Sequence, residues 1–179
     1  MNRVFLNDGD CTPGDCGWRE VAGLLGMDLP LLSQMGVVPG DIDNDGDLDV
    51  SLLSRGPDEP NFLFRNEARG NNWVQFRLTG TLSNRDAVGA RVRVTARLQP
   101  GTADVDQIRE VVAGTGFFSD MPRIQTFGLG KAGEVISARI RWPSGQIQDF
   151  GPLAVNQRYD ITEPSARLRW GRQGWHRRH

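Results

Sequence analysis

The chain has 179 residues, enough to bury a core and to form one or two small domains. Its 22 glycines and 10 prolines, against a single lysine at position 131, predict an all-β protein of short strands and turns. The net charge of −1 hides a gradient: residues 1–70 carry 13 acidic and 5 basic side chains, residues 71–163 carry 9 and 11, and the last sixteen carry five arginines and no acid. An acidic leading segment excludes nucleic acid as its partner, because phosphate contacts need clustered cations, and no apolar stretch approaches the roughly 20 residues that span a bilayer.

Taken in chain order, Met1-Asn2-Arg3 leads through a brief apolar step into the turn Asn7-Asp8-Gly9-Asp10, where a secretory signal would continue its apolar stretch. Cys11 and Cys16 flank Pro13-Gly14, so a turn brings them within disulfide reach; two ordinary thiols are the alternative. No histidine or further cysteine stands near them to complete a zinc site. Residues 36–40 and 48–53 read as short strands flanking an acidic loop. Residues 2–7 and 61–66 then match at a constant offset of 59, Asn2, Phe5 and Asn7 recurring as Asn61, Phe64 and Asn66. One such unit cannot close a ring, which predicts a C-terminal portion of a longer polypeptide.

A polar stretch over 67–72 marks a boundary, and beyond it apolar side chains alternate strictly. Val74, Phe76 and Leu78 share a face of 72–78; Val92, Val94, Ala96 and Leu98 share one of 89–98; Ile136, Ala138, Ile140 and Trp142 share one of 136–142. Further strands are predicted at 108–118, 123–128, 147–150 and 158–162, about the number a sandwich or barrel needs. The expected divisions are 1–70, 71–163 and a basic, disordered tail over 164–179.

The acidic loop places Asp41, Asp43, Asp45, Asp47 and Asp49 at alternate positions around Gly46. Carboxylates about 5 Å apart repel by roughly 1 to 3 kcal/mol per pair, so this density calls for a cation. Numerous oxygen-only ligands suit calcium better than zinc, copper or magnesium. Side-chain ligation is expected from Asp41, Asp43, Asp45 and Asp49, the backbone carbonyl from Asp47, and the sharp turn from Gly46. An EF-hand needs a glutamate at its twelfth position, where Leu52 stands. A solvated acidic turn without metal is the plainer alternative.

At these residues the chain resembles the FG-GAP or VCBS repeat, whose calcium loop runs Asp-x-Asp-x-Asp-Gly-x-x-Asp between two strands of a propeller blade. Asp41 to Asp49 match it throughout, while Gly9-Asp10-Cys11-Thr12 departs from the usual glycine-rich turn. From Asn72 to about Thr162 the sequence resembles the ASPIC/UnbV domain, through Asn84-Arg85-Asp86-Ala87-Val88-Gly89-Ala90-Arg91-Val92, Gly114-Thr115-Gly116-Phe117-Phe118-Ser119, Phe127-Gly128-Leu129-Gly130, Trp142-Pro143-Ser144-Gly145 and Asn156-Gln157. Thr126 and Asp120 depart from the histidine and glutamine common there. The two resemblances together imply a partial β-propeller-type repeat followed by an antiparallel β-sandwich-like domain. They also imply an extracellular or periplasmic, calcium-dependent adhesion or recognition role toward a protein or glycan.

Catalysis finds little support. Both histidines, His176 and His179, lie in the tail, and no Gly-x-Ser-x-Gly turn exists. Asp41 and Asp43 as a phosphate-transfer pair would want an α/β fold and a supporting lysine. On the polar strand faces Arg91, Arg93, Arg139 and Arg141, with Arg77 and Arg97, form a candidate basic stripe, and Trp73 beside them a candidate sugar platform. These residues carry a second expectation, a carbohydrate-binding appendage of a larger secreted enzyme. Asp104, Asp106, Glu110 and Asp149 are placed to balance the same face, which would make it an ordinary solvated surface.

Overall fold

The computed structural model describes residues 3–7, 17–29, 34–98, 101–117 and 119–165. Cys11, Cys16 and residues 166–179 of the tail lie outside these, so the disulfide and the disordered tail fall outside the described residues. Among the described residues every regular element is a strand, and no helix is long and apolar enough to cross a membrane. The chain forms two units, one of Met1–Arg69 with Ala113–Pro122 and one of Gly70–Val112 with Arg123–His179.

In the first unit, β1 (Phe5–Asn7) pairs antiparallel with β2 (Trp18–Glu20), a short strand that carries no alternation to betray it in the sequence. Glu20 Oε1 accepts the N–H groups of Val4 at 3.3 Å and Ala22 at 2.9 Å, tying this ladder to the turn that follows. β3 (Gln34–Gly40), β4 (Asp49–Ser54) and β5 (Phe62–Phe64) form a second antiparallel sheet in that order. Gly40 opposes Asp49 as the last pair of β3 and β4, so the acidic loop is the connection of this hairpin. The repeated asparagine at 61 closes the next turn, its side-chain oxygen accepting the N–H of Ser54 at 2.9 Å. Leu52 is buried, but Phe5 and Val37 stay 49% and 55% exposed along an apolar cleft of about 760 Å³ that Val50 and Phe64 also line.

The second unit is two facing sheets. One holds β11 (Ile147–Phe150), β10 (Glu134–Arg141), β7 (Arg91–Ala96) and β8 (Val105–Glu110) in that order, with β12 (Leu153–Ala154) also pairing with β10. The other orders β13 (Gln157–Thr162), β6 (Asn72–Thr79) and β9 (Gln125–Gly130). Their inner faces supply one core of Val74, Phe76, Val92, Val94, Phe127, Leu129, Val135, Ile140 and Trp142, among others. Phe76 meets Phe127 edge-on and Tyr159 in a stack, each at 5.9 Å between ring centroids. Full burial of side chains this size stabilises by roughly 1.5 to 3 kcal/mol apiece.

Three local expectations change. Strand β8 covers Val105–Glu110 and not 108–118. On β10 the register to β7 shifts between Val135 and Ser137, so Val135 is fully buried and Ile136 is not, although simple alternation puts Ile136 inward. The extra residue of a bulge turns every side chain before it to the opposite face. The pairing of β13 with β6 is parallel, with Thr162 opposite Thr79, inside an otherwise antiparallel architecture.

Beyond β6 the chain turns through a tight hoop. The N–H of Gly80 donates to the carbonyl of Arg85 at 3.0 Å, and Ala87 takes a left-handed φ of 54°. A Cβ on Gly80 would fall 2.1 Å from the carbonyl oxygen of Asn84, a backbone atom that cannot swing aside. Gly80→Ala is therefore expected to lower the melting temperature of this unit by more than 5 °C in calorimetry; a change of a degree or less would show that the hoop relaxes freely.

Candidate metal centre

The loop of residues 41–48 leaves β3 and bends back on itself. Asn44 and Gly46 adopt left-handed φ angles of 62° and 97°, and the buried Gly46 donates its N–H to Asp41 Oδ2 at 3.1 Å. A side chain at 46 would strain this left-handed backbone. Asp49, the first residue of β4, is 1% exposed. Its Oδ2 accepts the N–H of Ile42 and its Oδ1 that of Asn66, each at 2.8 Å, so one carboxylate joins the loop entrance to the chain beyond β5.

Ligand oxygens of Asp41, Asp43 and Asp49 lie within 4.8 Å of one another. At that spacing each pair repels by roughly 1 to 3.5 kcal/mol for effective dielectrics of 80 to 20. Asp45 stands outside this trio, exposed, with Oδ1 accepting the N–H of Asp47 at 3.1 Å. Both carboxylate oxygens of Asp47 are buried and take no hydrogen bond from the described residues. Burial, and then the charges of Asp45, Asp49 and Asp43, push the Asp47 carboxyl up from 3.8 to about 6. Arg65, just past β5, approaches Asp43 at 3.9 Å and also pairs with Glu67. The donor set is oxygen throughout, hard and anionic, which fits calcium by chemistry; thiolate and imidazole donors for softer metals are missing from it.

The arginine face is paired as the second of its two sequence readings expects, by Asp104, Asp106, Glu110 and Asp149. Arg93 and Arg139 stand directly opposite each other across β7 and β10, as do Arg91 and Arg141. Like charges so placed are unfavourable, and carboxylates on the flanking strands compensate. Arg91 pairs with Glu110 at 2.7 Å, Arg97 with Asp104 at 2.8 Å, Arg139 with Asp149 at 2.6 Å and Arg93 with Asp106. Hydrogen bonds from Arg93 and Thr95 hold the Asp106 carboxyl below its ordinary range, and Arg139 does the same to Asp149. On the other sheet Arg77 makes a bidentate pair with Asp160, both contacts at 2.7 Å. Trp73 is half-buried, and its backbone N–H donates to the Asn156 side chain at 3.1 Å.

Among the described residues, a carboxylate with five hydrogen bonds is one that sequence reasoning missed. Glu163, just after β13, is 1% exposed. Its Oε2 accepts the N–H groups of Thr81, Leu82 and Ser83 at 2.9, 2.9 and 2.7 Å. Its Oε1 accepts the hydroxyls of Ser83 at 2.9 Å and Ser144 at 2.5 Å. Burial pushes this carboxyl up, but the bonds from Ser144, Ser83 and Thr81 outweigh it and bring it from 4.5 down to about 2. Of the stretches singled out in the sequence, 142–145 supplies Ser144 to this seat and the one beginning at Asn84 braces the hoop beside it, through Gly80 N–H on the Arg85 carbonyl; nothing local marked Glu163 itself.

Residues 80–168 match the family described as ASPIC and UnbV. The chain is 32% identical over 115 residues to cartilage acidic protein 1 of Homo sapiens, covering 63% of this chain and 16% of that protein. It is 30% identical over 129 residues to cartilage acidic protein 1 of Xenopus tropicalis, covering 69% and 19% respectively. The chain thus spans less than a fifth of the length of the curated relatives it matches.

Proposed function

We propose that this chain, with an ASPIC/UnbV-type domain over residues 80–168, is a calcium-binding, non-catalytic recognition module of a longer extracellular or periplasmic protein, and that its first unit is an FG-GAP/VCBS-type repeat. The observation that carries the reading is the convergence of Asp41, Asp43 and Asp49 within 4.8 Å at the tip of a β-hairpin. The buried oxygens of Asp47 beside them add to it. Calcium there would offset the mutual repulsion of the loop and hold β3 against β4, so its part is structural. The exposed apolar cleft of the first unit supports a repeat that packs against others, since single repeats do not bury their own faces. The similarity to cartilage acidic protein 1 supports an extracellular setting.

The alternative, a carbohydrate-binding appendage of a secreted enzyme, draws less support. Its arginines at 91, 93 and 139 are already engaged by carboxylates, and Trp73 is half-buried. Phosphate transfer through Asp41 and Asp43 would want an α/β fold, and both residues instead lie in the loop between two antiparallel strands.

Chelation tests the proposal. If the dissociation constant lies about 100-fold below ambient calcium, the ion stabilises the folded form by roughly 2.7 kcal/mol. In a unit of this size that corresponds to a fall in melting temperature on the order of 10 °C on adding a chelator. Excess calcium should restore the transition and equimolar magnesium should restore it less. A melting curve indifferent to chelator would remove the metal from the account.

A further inference from the structure

The seat of Glu163 has the construction of a ligand site. Its five donors are all neutral, three successive amides and two hydroxyls, and they divide between the two oxygens of a single planar carboxylate. Successive backbone N–H groups turned to one point make a concavity selective for anions. Bonds that do not involve the glutamate side chain also hold these donors, among them one from the Thr81 hydroxyl to the Glu163 backbone carbonyl at 3.1 Å. Gly80 N–H reaches Arg85 O at 3.0 Å, and Asn84 clasps both the N–H and the carbonyl of Val88 at 2.9 Å. Ser144 N–H reaches Ser83 Oγ at 3.0 Å. Such preorganisation spares the occupant the cost of ordering its own receptor.

Glu163 arrives at this seat from the far end of the domain sequence, 80 to 82 residues beyond its amide donors. Its strand β13 is parallel to β6, and its ladder ends at Thr162 and Thr79, where Glu163 N–H bonds the Thr79 carbonyl at 2.8 Å. The carboxylate then enters the hoop directly beyond. We infer that the hoop of residues 80–84, completed by Ser144, is a carboxylate receptor in its own right and that Glu163 is its resident ligand, which makes β13 a strap fastened by a replaceable clasp. An acidic side chain or a terminal carboxylate offered by another strand in the register of β13 would satisfy the same donors. The inference is independent of the metal centre, which lies in the other unit.

Replacing the resident ligand and supplying a free one tests this. The full chain carrying Glu163→Ala should melt below the parent. Sodium acetate at neutral pH should then raise its melting temperature by about 5 to 8 °C for each tenfold increase above the acetate dissociation constant, relative to sodium chloride of equal ionic strength. The parent, whose receptor is filled, should not respond. Adding Ser144→Ala to the Glu163→Ala chain should blunt the acetate effect. If Glu163→Ala does not fold, the same comparison is read as the yield of folded protein on refolding in acetate against chloride. Equal action of acetate and chloride on the variant, or an equal response of the parent, overturns the inference.

Discussion

Asp49→Ala is expected to abolish the calcium-dependent rise in melting temperature and to lower the stability of the first unit even in chelator. Its carboxylate is buried and accepts two backbone N–H groups, those of Ile42 and Asn66. Leaving two such donors unsatisfied costs roughly 2 to 5 kcal/mol, beyond the loss of the ion. Asp43→Asn separates the two effects, because Asp43 is exposed and its ion pair with Arg65 at 3.9 Å, the one it makes among the described residues, is a surface contact of small worth. With one charge fewer in a repelling cluster, Asp43→Asn should be as stable as the parent in chelator, or slightly more so, and yet respond less to calcium. Calorimetry with and without calcium reads both variants. A full calcium response in either one would show that the ion, if it binds, does so elsewhere.

The second large effect lies in the acid range. The folded-state Glu163 carboxyl stands near 2 against an ordinary 4.5, so the unfolded chain binds more protons between these values. The stabilisation is fully present above about 4.5 and is lost as the pH falls through about 2, and a shift of this size is worth about 3 kcal/mol. Asp106 and Asp149 are also held below the ordinary carboxylate range by their arginine partners and contribute in the same sense. The informative quantity is therefore the stability of the parent minus that of Glu163→Gln, measured by denaturant unfolding from pH 7 down to pH 2. That difference should be largest near neutrality and shrink toward pH 2. A difference constant across the range would mean that the glutamate acts by shape alone and that its charge is not what the hoop recognises.

The depth to which each feature could be read from the chain follows from how local its cause is. Alternating aspartates around Gly46 are neighbours in sequence, and their repulsion exists whatever the rest of the fold does, so the acidic hairpin loop was legible as a cluster, although which aspartates converge was not: Asp45, expected among them, stands outside the trio of Asp41, Asp43 and Asp49. The strands of the second unit were legible for the same reason, since period-two alternation is written into each segment separately. Val74, Phe76 and Leu78 on β6, and Val92, Val94 and Ala96 on β7, all reach the core as that alternation requires. Where one extra residue bulges, as between Val135 and Ser137, alternation gave the wrong neighbour, because a bulge is set by the partner strand and not by the segment that contains it.

By itself, then, the amino-acid order determined an all-β chain with an acidic turn built of oxygen donors, because strand alternation and charge crowding act over a few residues. Tertiary structure alone decided which acids are spoken for. It fixed which arginine each of Asp106, Asp149 and Glu110 takes on a face whose balance was already expected, and it delivered Glu163 to amides some eighty residues distant through a parallel pairing that no short-range pattern encodes. A carboxylate's role depends on the donors within about 3 Å of it, and only the closed fold says which those are.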